Sequence, residues 1–176
     1  MTRLIRLGLC LGLLLTAAPA AAQTQGTGAT EGAPSQTGQS GRPLPRFVSL
    51  RAPKVNLRTG PGIRYPIEWV YTRKGMPLEI IDEFETWRRI RDWQGSVGWV
   101  HQSMLSNERA ALVVGRQRLM RRAPKDGAPV MALVEAGVVG RLLGCGGGWC
   151  RITVKGFEGW LKATEIDGAH PGETAE

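Results

Sequence analysis

Two cysteines, a cluster of carboxylates and six tryptophans are the residues of this chain best suited to chemistry or binding. Cys145 and Cys150 enclose the segment Gly-Gly-Gly-Trp. These four intervening residues exclude the two-residue spacing of redox motifs, and no histidine or further cysteine is close enough in sequence to complete a zinc site. Because the glycines allow a sharp turn, the sequence predicts a hairpin closed by a structural Cys145–Cys150 disulfide in preference to a reactive thiol.

Acidic residues cluster at Asp82, Glu83 and Glu85. A pair of carboxylates is what glycoside hydrolysis requires, but this cluster lies where a hairpin tip is predicted, and we expect it to be solvated. A hydrolase of the Cys-His or Ser-His-Asp type needs a positioned base next to a nucleophile, and neither His101 nor His170 has an evident partner of this kind. The sequence contains no glycine-rich phosphate loop or EF-hand motif. We therefore predict no catalytic residue, no metal site and no cofactor.

Four of the tryptophans belong to a sequence that occurs twice, at an offset of 61 to 63 residues. Trp87-Arg-Arg-Ile recurs as Trp149-Cys-Arg-Ile, and Gly98-Trp-Val recurs as Gly159-Trp-Leu. An internal repeat of this length indicates two copies of one small module. Residues kept in both copies are expected to form the scaffold, and residues present in only one copy are better candidates for function.

Three aromatic residues of the first copy have no aromatic counterpart in the second. Tyr65 aligns with Ala128 and Trp69 with Ala132, and Trp93 also lacks a match. An aromatic ring offers a sugar or a peptide a large apolar face at low entropic cost. Tyr65 and Trp93 are therefore candidate ligand-binding residues, with packing inside a small barrel as the alternative explanation for each.

The chain begins with the features of a cleaved secretory signal. Arg3 and Arg6 precede an apolar run over 7–15, and three alanines end the segment 1–22. Cys10 raises a lipoprotein as the alternative, but it follows a leucine where a small residue is expected. We predict an extracytoplasmic protein, periplasmic if the host has an outer membrane, with no transmembrane segment in the mature chain.

Beyond the signal, residues 23–46 contain almost no bulky apolar side chains and are predicted to be a disordered linker, and 168–176 a short flexible tail. The two modules are placed over 47–107 and 108–167.

Residues 46–107 and residues 108–167 each carry ten Lys or Arg against six Asp or Glu, within a chain of net charge +8. An exported protein of this charge would be drawn to anionic surfaces such as membrane headgroups, lipopolysaccharide or wall polymers, or the excess is only solvated surface. Export argues against a nucleic-acid partner.

Both copies consist of short segments rich in β-branched and aromatic residues, separated by turn residues. In the first copy, strands are predicted over 55–58, 67–71, 76–81, 87–92 and 97–101, with a closing strand over 110–114. Five or six short strands in about 60 residues indicate a small, strongly bent barrel. The predicted fold class is all-β, with two small barrels in tandem.

The first copy resembles the bacterial SH3 domain family. The resemblance lies in Val55-Asn-Leu-Arg-Thr-Gly-Pro-Gly, in Tyr65-Pro, in Trp87-x-x-Ile and in Gly98-Trp-Val. The second copy resembles a divergent member that lacks the Thr-Gly-Pro-Gly turn and has Arg-Ala-Pro-Lys from Arg122 onward. This resemblance implies SH3-like barrels that act as non-catalytic binding modules of exported proteins, in several cases recognising peptidoglycan or its peptides.

We therefore expect a cell-envelope protein that binds wall peptide or glycan through the first module. The alternative is an adaptor that binds an envelope partner protein without contacting the wall. In the first interpretation, Arg58 would pair with a carboxylate of a stem peptide. The candidate ligand-binding residues are Asn56, Arg58, Thr59, Gly60, Tyr65, Trp93 and Trp99.

Overall fold

The computed structural model describes residues 36–170 and residue 173. The signal peptide predicted over 1–22 and the first part of the predicted linker lie outside the described residues. Within the described part the fold is all-β, as predicted, and includes two single-turn 3₁₀ helices, Gln102–Met104 and Ala163–Glu165. No helix in this part of the chain is long and apolar enough to cross a membrane.

The strands of the described residues fall into a short hairpin and two larger sheets. They are β1 (Gln36–Thr37), β2 (Pro43–Leu44), β3 (Arg46–Leu50), β4 (Val55–Arg58), β5 (Ile67–Tyr71), β6 (Pro77–Phe84), β7 (Trp87–Arg91), β8 (Val97–His101), β9 (Leu105–Ser106), β10 (Ala110–Val113), β11 (Arg118–Arg121), β12 (Val130–Val134), β13 (Val139–Gly146), β14 (Trp149–Val154), β15 (Phe157–Lys162) and β16 (Ile166–Asp167).

The two seven-stranded sheets have the same topology. The first sheet has the order β5-β4-β8-β7-β6-β3-β9, and the second has the order β12-β11-β15-β14-β13-β10-β16. Adding seven to each strand number of the first gives the second, so the sequence repeat is a structural repeat. Ala110–Val113 was expected to close the first copy, but it pairs with β13 and β16 and is the first strand of the second sheet.

Each sheet curls around its own apolar core. In β4, Val55 and Leu57 are buried, and Asn56 and Arg58, which alternate with them, are only partly buried, as the two-residue period of a strand requires. The Gly-Trp repeat follows from this packing. A Cβ atom on Gly98 would lie 2.6 Å from Cγ of Leu57, and one on Gly159 would lie 2.5 Å from Cγ of Met120. Only glycine leaves room there for the core side chain of the neighbouring strand.

Both segments predicted to be unstructured contain residues that pack on the barrels. Residues 36–46 of the predicted linker form the β1–β2 hairpin and the start of β3, because Leu44 is buried in the first core and Ser40 bonds to Glu83. Two residues of the predicted tail, Gly168 and Glu173, are bound by Arg109, which donates to the Gly168 carbonyl and forms an ion pair with Glu173. The linker and tail predictions are therefore wrong at these positions. A few side-chain contacts hold these otherwise polar segments against the barrels.

Candidate functional site

Six of the seven candidate binding residues lie together around the end of β4. Trp99 is on the outer face of the first sheet, directly opposite Arg58 on one side and Arg89 on the other. The second module repeats this arrangement, with Trp160 opposite both Arg121 and Arg151. Because the Arg–Trp–Arg set occurs in both copies, the repeat favours a scaffold role for it, and the binding role of Trp99 stays a prediction.

Arg58 forms hydrogen bonds to the backbone of the loop that follows β4. Its Nη1 donates to the carbonyl oxygens of Ile63 at 3.0 Å and Tyr65 at 2.7 Å. Arg121 donates in the same way to the carbonyl of Ala128 at 2.8 Å. The pairing of Arg58 with a ligand carboxylate stays a prediction, and it would have to use the other guanidinium nitrogens.

Tyr65 and Gly60 form a matched pair within this loop. The half-buried ring of Tyr65 lies so close to Gly60 that a Cβ atom there would be 2.4 Å from Cδ1 of the ring. The second module has Ala123 and Ala128 at these two positions, and Ala128 is buried. Loss of the ring and loss of the glycine go together, which explains why the second copy can carry Ala123 at the position of Gly60.

Trp93, the seventh candidate, lies apart from the other six and lines a different cavity. This cleft of about 430 Å³ lies between the two modules. Trp69 and Trp93 line it from the first module, and their side chains are 60% and 45% exposed. Val114 and Ala136 line it from the second module, whereas Tyr65 and Trp99 lie outside it. The sequence analysis found Trp69 in only one copy but did not include it among the candidate binding residues. Its absence from the second copy could have identified it as one.

Buried polar contacts fix the turn that carries Trp93. Oδ1 of Asp92 accepts hydrogen bonds from the backbone N–H groups of Gln94 and Ser96, both at 2.9 Å. Oδ2 of Asp92 accepts from the Tyr71 hydroxyl at 3.0 Å. Burial, followed by the charge of Asp92, raises the pKa of Tyr71 well above its ordinary value, so the hydroxyl remains a donor. The base of the cleft is therefore preorganised.

Glu83 is not at a solvated hairpin tip, which corrects the expectation from sequence. Its carboxylate pairs with Arg46 at 2.6 Å and Arg88 at 3.2 Å, and it accepts from the Ser40 hydroxyl at 2.8 Å. Burial alone would raise the pKa of Glu83, but the hydrogen bonds from Arg46 and Ser40 outweigh it and lower the pKa to about 2. A carboxylate held in this way has no proton to donate at neutral pH, so it is unsuited to general acid catalysis.

The histidines are engaged in local contacts. Nδ1 of His101 lies 2.7 Å from the Ser103 hydroxyl, and the His101 ring packs edge-on against Trp87. His170 packs against Phe47. Among the described residues, no group of three His, Cys, Asp or Glu side chains is arranged to hold a metal ion.

The predicted disulfide between Cys145 and Cys150 is present. The two cysteines are directly opposite each other in the β13–β14 hairpin. The corresponding positions of the first module are Glu83 and Arg88, also directly opposite each other in the β6–β7 hairpin. A covalent bond and a buried ion pair thus occupy the same place in the two copies.

Comparison with known proteins agrees with the repeat. A family model described as bacterial SH3 domain matches residues 51–107 and again residues 115–168. Two solved structures from Trichomonas vaginalis, those of NlpC2 and NlpC1, are similar at 14% and 13% identity, over 70% and 69% of this chain, each with a TM-score of 0.33. The chain spans 48% and 45% of their lengths. A search of curated proteins found no match.

Proposed function

The chain belongs to the bacterial SH3 domain family, and we propose that it is an exported, non-catalytic protein that binds cell-wall peptide or glycan through the aromatic residues of its first module. The family consists of binding modules, and the twofold match covers most of the described residues. Which ligand is bound and which residues bind it are parts of this proposal.

The observation that carries the proposal is the pair of exposed tryptophans, Trp69 and Trp93, lining one cleft. A single exposed aromatic residue is ordinary, but two that line one concave surface form a contiguous apolar face of the kind that marks a binding site. Their faces suit a sugar ring or the apolar part of a peptide, and the adjacent Thr72 and Gln94 supply side chains that can hydrogen-bond to such a ligand. Neither tryptophan recurs in the second copy, so neither is required by the fold.

The disulfide supports an extracytoplasmic location, because structural disulfides persist in oxidising compartments and are rare in the cytosol. Cleavage of a signal after residue 22 is part of the proposal. The intact mass of the exported protein tests it, and a mature protein that begins at Cys10 would support the lipoprotein alternative instead.

Retention on purified, protein-free sacculi tests the function. We expect Trp69→Ala and Trp93→Ala each to weaken retention at least about tenfold, because a buried aromatic anchor commonly contributes on the order of 2 kcal/mol. Phe157→Ala, at an exposed aromatic residue of the second module, is the matched control and should bind like the unchanged protein. Tyr65→Ala tests the separate loop around Gly60.

The possible outcomes separate the candidate functions. Loss of retention with Tyr65→Ala alone would place the ligand at the loop rather than in the cleft. A protein that fails to sediment with sacculi but co-purifies with one envelope protein would be the adaptor, and the wall-binding proposal would then be wrong.

A further inference from the structure

The second module has an exposed apolar surface on β11 and β12, which we call the β12 surface. Leu119 and Leu133 are directly opposite each other across the two strands, and Met131 lies on the same side of β12 as Leu133. Together with Val130 these side chains are between 39% and 60% exposed. β12 is an edge strand of its sheet, so the surface is open on one side.

The fold does not require two of the four side chains of this surface to be apolar. At the positions of Leu119 and Met131 the first module has Asn56 and Glu68. At the positions of Val130 and Leu133 it has Ile67 and Val70, so this part of the surface is apolar in both copies. Exposed apolar residues that replace polar ones in only one copy are an added feature. The proposed wall-binding cleft does not use them.

Positive charge borders the β12 surface. Arg116 precedes β11, and Arg122 and Lys125 follow it, all three exposed. Within the described part of the chain, the side chains of these three residues form no ion pair. Glu135, exposed just after β12, also forms no ion pair within the described residues, so three uncompensated cations stand against one uncompensated carboxylate next to the apolar side chains.

A groove beside Leu119 continues the cationic border. It has a volume of about 450 Å³ and is lined by four basic side chains against two acidic ones. The basic residues are Arg116, Arg118, Arg121 and Lys162, and the acidic residues are Asp126 and Glu165. This excess of positive charge suits a phosphate group next to an apolar chain.

We propose that the β12 surface docks the second module onto an anionic lipid membrane. Leu119, Met131 and Leu133 would enter the boundary between headgroups and acyl chains, and the basic border would contact lipid phosphates. Apolar insertion and attraction to anionic lipid are each weak for so small a surface, but they act together. A second copy of this chain is the poorer occupant, because pairing two such surfaces would bring like charges together.

Sedimentation with lipid vesicles tests the proposal, using protein purified after export. Vesicles of phosphatidylglycerol and phosphatidylethanolamine are compared with vesicles of phosphatidylcholine, at low and at high salt. We expect at least about tenfold stronger binding to the anionic vesicles, and that preference should fall at high salt because mobile ions screen the phosphates.

The decisive variant is Leu119→Asn with Met131→Glu, which introduces the residues of the first module at aligned positions. We expect it to weaken vesicle binding at least about tenfold while melting temperature and retention on sacculi stay unchanged. Arg122→Gln with Lys125→Gln should reduce binding and its salt dependence. The matched control is Leu143→Asn, at an exposed leucine of β13, a strand that is separated from β11 by two others. All variants share one N-terminus, so any contribution from it cancels.

The proposal is overturned if the Leu119→Asn, Met131→Glu variant binds anionic vesicles like the unchanged protein, or if both vesicle types are bound equally. It is also overturned if the unchanged protein is a dimer by analytical ultracentrifugation and this variant is a monomer. The β12 surface would then be a self-association interface.

Discussion

At the scale of single residues, the duplication shows which side chains depend on each other. Gly60 and Tyr65 of the first module are Ala123 and Ala128 in the second, and the structure gives the reason, because the ring occupies the space that a Cβ atom on Gly60 would need. The alignment of the two copies paired these positions. Contact between them could not be read from the sequence, since it depends on how the loop folds back on itself.

Gly60→Ala should destabilise the first module by about 2 kcal/mol, because the added methyl group must displace the Tyr65 ring. The double variant Gly60→Ala, Tyr65→Ala reproduces the second module's pair and should lose less stability than the sum of the single variants. Chemical denaturation of all three proteins measures this coupling. Additive effects would mean that the ring does not pack on Gly60 in solution.

Because of Glu83, the free energy of unfolding of the first module should fall at acidic pH. Because its folded pKa of about 2 lies below its ordinary value of 4.5, the stabilisation is present above pH 4.5 and is lost as the pH falls towards 2. Glu83→Gln should destabilise the first module at neutral pH by about 3 kcal/mol, since it leaves Arg46 and Arg88 without their carboxylate. Thermal melting across this pH range is the measurement. The control is Glu85→Gln, at an exposed position of the same hairpin, which should leave the profile unchanged.

At the scale of the elements, local patterns located most of the strands but not their partners. The predicted segments 55–58, 67–71 and 97–101 agree with β4, β5 and β8. The module bounds placed 110–114 in the second module, but its expected role as the closing strand of the first copy was wrong, because an apolar run predicts a strand without indicating which sheet it joins. The burial of Glu83 was missed for a related reason, since the covering residues 36–46 are polar and are held by few side chains.

Reduction of the Cys145–Cys150 disulfide should lower the stability of the second module by about 2 kcal/mol, because the bond closes a small loop in the unfolded chain. Hydrogen exchange with and without reductant locates the effect. The amides of β13 and β14 should lose protection, and those of β6 and β7, where Glu83 and Arg88 replace the cysteines, should change little. Equal losses in both hairpins would mean that the two modules unfold as one unit.

At the scale of the whole molecule, the two modules share a boundary, as the small size of each module leads one to expect, but its contacts could not be predicted. Arg73 of the first module donates to the Gly137 carbonyl of the second. Nδ1 of His170 lies 3.7 Å from Oε1 of Glu79. The proposed binding cleft is lined by both modules, so it exists only while they are docked. Charges that meet at this boundary come from distant parts of the chain, and no local pattern indicates that they are neighbours.

Asp167 should make this boundary more stable at mildly acidic pH. Burial, followed by the charges of Glu79 and Asp92, raises the pKa of Asp167 from 3.8 to about 6, although the charge of His170 acts in the opposite direction. A raised folded pKa means that the stabilisation is fully present below pH 3.8 and is lost as the pH rises through 6.

Asp167→Asn should therefore raise the melting temperature at pH 7.5 more than at pH 5. His170→Gln is the comparison, and a pH dependence that disappears only in that variant would assign the titration to the histidine. This window overlaps that of Glu83 only between pH 3.8 and 4.5, so the effect of Asp167 is measured above pH 4.5 and that of Glu83 below pH 3.8.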